Sequence, residues 1–180
     1  ELAKRVKVMR LHGIDRTVWD RYTAVDASWG YSVVAAGYKY NLTDLAAAIG
    51  RVQLRRADAF LARRREIAER YDEAFGKLEG LELPPRGEDH AWHLYILRLT
   101  AQAGIDRDAL IARLCERGIG TSVHYIPLHI MPYYRELYGL KPEDYPRALA
   151  AYERSLSLPI YPAMTEEQLD RVIRAVENSL

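Results

Sequence analysis

The chain reads as an α+β fold, a small domain of one sheet covered by helices that follows a remnant of another domain. Three observations predict this. Short runs rich in large apolar and β-branched residues read as strands: WHLYILRL from Trp92, GTSVHY from Gly120 and LSLP from Leu156. Amphipathic helical patterns follow each of them, which describes one sheet with helices against it. A composition of 49% hydrophobic and 28% charged residues over 180 positions supplies enough apolar material for a core.

Taken in order, Leu2 to Leu11 reads as a helix stopped by Gly13 and lacking an N-terminal cap of its own. Residues 14 to 36 keep no sustained period. That is long for a structureless loop, so this stretch is a candidate functional segment. Thr43 can cap the next helix and Asp44 suits its positive end, after which Leu45, Ile49 and Val52 recur on one face. The helical pattern then continues or bends, with Phe60, Ile67, Tyr71 and Leu78 forming a stripe up to Gly80. A domain change is placed near Gln53 to Asp58, dividing the chain into residues 1–54 and 55–180.

LEGLELPPRGEDH reads as a turn-rich connector between the helical half and the first strand. Asp106 then starts a helix with Leu110, Ile111 and Leu114 on one side, ended by Gly118. The single cysteine, Cys115, lies near that apolar side and is expected to be a buried structural thiol. Another helix spans Tyr145 to Ser155. The last has the clearest start: Thr165 and Gln168 form a capping box, Met164 can staple against Leu169, and Val172, Ile173 and Val176 keep the period.

The charge balance excludes some functions. With 26 basic and 25 acidic residues, the net charge of +1 provides no global field toward nucleic acid or acidic lipid. The block Arg55, Arg56, Arg63, Arg64 and Arg65 is interleaved with Asp58, Glu66, Glu69, Asp72 and Glu73, so a solvated face of mixed ion pairs is the better reading than a phosphate-binding stripe. Apolar runs such as VVAA at Val33 fall far short of the roughly 20 residues a membrane span requires, and a cytoplasmic location follows as the default expectation. His90 and His93 stand an odd number apart and would point to opposite faces of a strand, which argues against a shared metal ion. Most of the thirteen tyrosines are expected to be half-buried packing.

Two segments carry candidate chemistry. In GYKYN, the residues by themselves favour a turn before a helix, in which Asn41 bonds local backbone, over a contact to a ligand. In HYIPLH, a strand ending at His124 and Tyr125 and turning at Pro127 sets polar aromatics at a sheet edge. For both His124 and His129 a satisfied structural histidine is the alternative.

GYKYNLTDLAAAIGRVQL, RRREIAERY, HAWHLYILR, DALIARLCERGIGTSVHY and SLPIYPAMTEEQLDRVI, in this order, resemble the DegT/DnrJ/EryC1/StrS sugar aminotransferases over nearly the whole chain. Among these the chain looks most like the enzyme that aminates a UDP-linked keto pentose for lipid A modification. The resemblance implies the α/β fold of the type I pyridoxal-phosphate transferases (aspartate aminotransferase-like), of which residues 1–54 would be the end of the large domain and 55–180 the small α+β domain. It also implies pyridoxal 5'-phosphate as cofactor, a homodimer with shared active sites, a nucleotide-sugar substrate, and glutamate as amino donor with 2-oxoglutarate as product.

By the same resemblance, GYKYN reaches the partner's cofactor phosphate through Asn41 or Lys39, and His124, Tyr125 and His129 fall in a region that lines the sugar pocket. Many members read GYNYRM at the first segment, so which of Lys39 and Asn41 makes the contact stays open. The lysine that holds the cofactor would lie upstream of Glu1, and Lys4, Lys7, Lys39, Lys77 and Lys141 do not match it. This chain by itself is therefore expected to be inactive. A non-catalytic interaction or dimerisation module, or part of a dehydratase with histidine in place of that lysine, is the alternative function.

Overall fold

The computed structural model describes residues 1–15, 30–87 and 89–180, and the chain divides into two compact units, Glu1–Arg55 and Arg56–Leu180. Most of the irregular stretch expected at 14 to 36 lies outside the described residues.

In the first unit, helix α1 (Leu2–Met9) ends in a backbone crossing. Tyr38 N–H donates to the Met9 carbonyl (2.7 Å), Tyr40 N–H to that of Arg10 (2.8 Å), and His12 N–H to that of Tyr38 (2.9 Å). The two strands of chain approach too closely for side chains at two positions. A Cβ on Gly13 would run into the Ala35 carbonyl, and one on Gly37 into the backbone of Gly13. Helix α2 (Asp44–Arg55) starts where Thr43 Oγ1 accepts from Ala46 N–H at 3.2 Å, the cap expected from the sequence. Neither helix has a buried residue, and the α2 stripe stands bare, with Leu45 80%, Ile49 63% and Val52 49% exposed.

In the second unit, helix α3 (Ala57–Phe75) lays Ile67, Ala68, Tyr71 and Phe75 into the core. The sheet is antiparallel in the order β1 (Leu81–Glu82), β2 (Tyr95–Leu99), β3 (Ser155–Leu158), with Tyr95 opposite Leu158 and Leu97 opposite Leu156. Alternation puts Tyr95, Leu97 and Leu99 on the buried face. Helices α4 (Arg107–Glu116) and α7 (Glu166–Glu177) complete this core through Leu110, Leu114, Leu169, Val172 and Val176. Two short helices, α5 (Pro132–Tyr138) and α6 (Pro146–Arg154), lie between α4 and β3 in the chain. The capping box at Thr165 and Gln168 is formed, and Asp106 caps α4 through Ala109 N–H.

Several details differ from the sequence expectation. GTSVHY is not a strand: Ser122 exchanges both backbone hydrogen bonds with Ser157 and pairing ends there. The third strand comes instead from the expected connector, at Leu81–Glu82, and stops after two residues because Pro84 and Pro85 have no N–H to extend a ladder. The strand from WHLYILRL begins at Tyr95, not Trp92. Trp92 has φ +47 and donates its N–H to His90 Nδ1 at 2.9 Å. The alternation argument for His90 and His93 therefore does not apply. Cys115 is exposed, since on α4 it sits about 100° round from the buried Leu114.

Of the basic block only Arg63 makes ion pairs among the described residues, joined by Arg70 one helical stretch further on. Arg63 bonds Glu66 (3.1 Å) and Glu166 (2.7 Å), and Arg70 bonds Glu166 (3.0 Å) and Asp170 (2.7 Å), tying α3 to the start of α7. Two tyrosines are fully buried rather than half-buried. Tyr71 donates to the Pro159 carbonyl (2.7 Å) and Tyr95 to Asp72 (2.5 Å), which also pairs with Arg86; burial pushes both phenols above their usual range.

Candidate functional site

The GYKYN segment in the first unit is held by its backbone and leaves its side chains free. The hydrogen bonds at Tyr38 and Tyr40, with the bridge between Leu11 and Lys39, fix an extended stretch. Tyr38 and Tyr40 stack on one face with ring centroids 5.0 Å apart, so by alternation Lys39 takes the other. Lys39 and Asn41 are exposed, and among the described residues neither makes an ion pair or side-chain hydrogen bond. The alternative of a turn in which Asn41 bonds local backbone thus has no supporting hydrogen bond here. Two donors two positions apart on a pinned segment, without partners among the described residues, have the chemistry to suit the phosphate end of an anionic cofactor. Its aldehyde end requires a desolvated lysine, and all five lysines of this chain are exposed.

In the second unit, His124 is half-buried, and its Nδ1 lies 2.8 Å from Ser157 Oγ on β3. Tyr125 is 76% exposed and sets its ring edge-on to His124 at 4.8 Å. Two hollows meet at His124. One, of about 170 Å³, is walled by His93, Gly120, Ser122 and Ser157; the other, of about 150 Å³, by Tyr125, Pro127, Tyr152 and Ser155. His129 lines neither. It is 6% exposed, its Nε2 lies 3.2 Å from the Pro142 carbonyl, and its ring packs on Tyr145, the arrangement of a satisfied structural histidine. The sequence reading missed Ser157, His93 and Gly120; Ser157 is 33 positions from His124, and the isolated bridge between Ser122 and Ser157 is what brings the two segments together.

The family model described as the DegT/DnrJ/EryC1/StrS aminotransferase family matches residues 1–177. The chain belongs to this family. Among the curated relatives, MJ1066 of Methanocaldococcus jannaschii, an uncharacterised protein, is 47% identical over 180 residues, covering 98% of the chain and 46% of the relative. The spore coat polysaccharide biosynthesis protein SpsC of Bacillus subtilis is 47% identical over 182 residues, covering 99% and 46%. The chain thus spans about half the length of the curated relatives it matches.

Among solved structures, Spr1654 of Streptococcus pneumoniae, a proposed sugar aminotransferase, superimposes in its PMP form with a TM-score of 0.79 at 31% identity, covering 96% of this chain and 43% of that one. Its PLP form gives 0.76 at 32% identity, covering 97% and 43%. The fold is that of the type I pyridoxal-phosphate transferases.

Proposed function

We propose that this chain is the C-terminal part of a pyridoxal-phosphate-dependent sugar-nucleotide aminotransferase, a cytoplasmic homodimer that moves an amino group from glutamate to a nucleotide-linked keto sugar. The observation that carries the reading is the GYKYN segment, pinned by backbone to residues 9–12 with Lys39 and Asn41 unpaired among the described residues, in a chain that matches the aminotransferase family over residues 1–177. Pyridoxal 5'-phosphate, when bound, supplies the electron sink for the transfer. The residues of this chain bind and orient: Asn41 or Lys39 holds the phosphate of the cofactor bound by the partner subunit, and His124 with Tyr125 contacts the sugar. His129 is held by Pro142 and Tyr145 and has a structural role.

The name of SpsC, a polysaccharide biosynthesis protein, supports a sugar substrate. A UDP-linked keto pentose of lipopolysaccharide biosynthesis is the narrower form of the proposal. The test uses the intact protein with pyridoxal phosphate, glutamate and a panel of nucleotide-linked keto sugars that includes this pentose. Amino sugar and 2-oxoglutarate formed in equal amounts support the reading. A deoxygenated product without 2-oxoglutarate assigns the protein to the dehydratases, and no turnover with bound cofactor leaves a non-catalytic module.

A further inference from the structure

Of the five arginines in the basic block, Arg63 is answered by carboxylates and, among the described residues, the other four are not. From that contrast we infer that the hollow where Arg56 and Arg64 meet Phe60 and Tyr161 is a binding site for a phosphate group carried on a small ring-bearing molecule. It lies wholly within the second unit, between the first two turns of α3 and the residues just before α7. It shares no lining residue with the two hollows at His124.

Charge sets the first limit. Three arginines line the hollow and, among the described residues, no Asp or Glu does. Arg63 is committed to Glu66 (3.1 Å), Glu166 (2.7 Å) and the Met164 carbonyl (2.9 Å), which answers its charge and fixes it as a wall. Arg64 has no such answer. Its Nε is closed off from solvent without a hydrogen-bond partner, and no carboxylate among the described residues pairs with its guanidinium. Desolvated donors are seldom left unpaired in folded proteins, and an oxyanion at this guanidinium supplies the counter-charge it lacks. Arg56 stacks its guanidinium on Phe60, 4.7 Å from the ring centroid, which holds the plane in place and leaves its N–H edges open. Two guanidinium forks at one hollow suit the several oxygens of a phosphate dianion better than a single carboxylate.

Size and walls set the second limit. At about 460 Å³ the hollow exceeds the roughly 300 Å³ at which sites for drug-sized ligands begin, so it holds more than a bare ion. Tyr161 is 40% exposed, and its hydroxyl donates to Gln168 Oε1 at 3.2 Å, which anchors the ring. With Pro162 beside it, that ring offers an apolar wall against which a ligand ring can lie while its phosphate meets Arg56 and Arg64. The site is built from residues of the second unit alone and does not depend on the aminotransferase reading.

The experiment is a calorimetric titration of the intact protein, loaded with pyridoxal phosphate and freed of excess, with phenyl phosphate and, in parallel, with inorganic phosphate. Phenyl phosphate is expected to bind about fivefold more tightly than inorganic phosphate, and Tyr161→Ala to remove that advantage. Arg56→Gln and Arg64→Gln are each expected to weaken phenyl phosphate about tenfold or more. Arg65→Gln, in the same basic run but outside the hollow, is expected to leave it unchanged. Melting in phosphate-free buffer separates a ligand site from a structural one: Arg64→Gln should melt no lower than the wild type, since it removes an unanswered cation. A lower melting point for Arg64→Gln would mean that a carboxylate elsewhere in the intact protein already answers Arg64, and would overturn the site. No binding of either phosphate, an equal loss in Arg65→Gln, or wild-type affinity in both Arg56→Gln and Arg64→Gln would overturn it as well. Equal affinity for the two phosphates would overturn the ring-bearing ligand.

Discussion

Replacing Asn41 by alanine in the intact protein separates a cofactor contact from a turn residue. Asn41 is exposed and makes no side-chain hydrogen bond within the described chain, so the apo fold should change by no more than about 0.5 kcal/mol. Helix α2 keeps its start, because its cap is the Thr43 hydroxyl on Ala46 N–H at 3.2 Å. A hydrogen bond from Asn41 to a charged phosphate is worth about 1.5–3 kcal/mol, so its loss should weaken pyridoxal-phosphate binding roughly ten- to a hundredfold. Cofactor titration and apo melting are measured side by side for Asn41→Ala, Lys39→Ala and Thr43→Ala. The threonine variant is the converse control, losing about 1 kcal/mol of stability while keeping cofactor affinity. An effect confined to Lys39→Ala would move the contact to the lysine. Unchanged affinity together with a destabilised apo fold in Asn41→Ala would refute the reasoning, since Asn41 would then be a structural residue whose free side chain had been misread.

Other expectations are as direct. Incubating the 180-residue chain with pyridoxal phosphate and borohydride should give no turnover and no stoichiometric label at one lysine, because all five lysines are exposed; peptide mapping that found one such site with turnover would contradict this. The bare faces of α1 and α2, with Leu2, Val6, Leu45, Ile49, Val52 and Leu54 exposed, should make the chain associate, and light scattering showing a stable monomer over a wide concentration range would count against it. Tyr71 and Tyr95 keep their protons when folded, whereas unfolded tyrosine ionises near pH 10. The native state then binds more protons, so stability is complete below about pH 10 and falls above it, by up to about 1.4 kcal/mol per pH unit for each tyrosine. Tyr95→Phe should remove one tyrosine's share of that slope and, by breaking the bond to Asp72, cost about 1.5–3 kcal/mol at neutral pH, both read from urea unfolding. Ser157→Ala should cost about 1 kcal/mol and change the nitrogen shifts of the His124 ring; an unchanged ring would mean that Ser157 does not set its tautomer.

Local signals proved legible wherever they rest on residues close in the chain. The capping box at Thr165 and Gln168, the Asp106 and Thr43 caps and the apolar stripe through Ile67 and Tyr71 all act within one helical turn or two, and the structure forms each of them. The strands were harder to read, because a strand exists only if a partner lies beside it. GTSVHY has strand composition but a single bridge to Ser157, while the plain-looking Leu81–Glu82 pairs with Leu99 and Arg98 until Pro84 ends the ladder. Cys115 shows the same limit on a helix, where one position, about 100°, separates the buried Leu114 from an exposed thiol.

By itself, then, the sequence determined the helices other than the short α5, several of their caps and the family resemblance, since these depend on residue identity at short spacing or on motif order. Only the tertiary structure decided what surrounds His124. The bridge between Ser122 and Ser157 set Ser157, 33 positions away in the chain, against its ring and left a hollow beside Gly120, while His129, five residues on, was buried against Pro142 and Tyr145. The physical reason is that caps and stripes are stabilised within a turn or two of helix, whereas a pocket wall is stabilised by contacts whose partners are distant in the chain and are specified only once the sheet has closed.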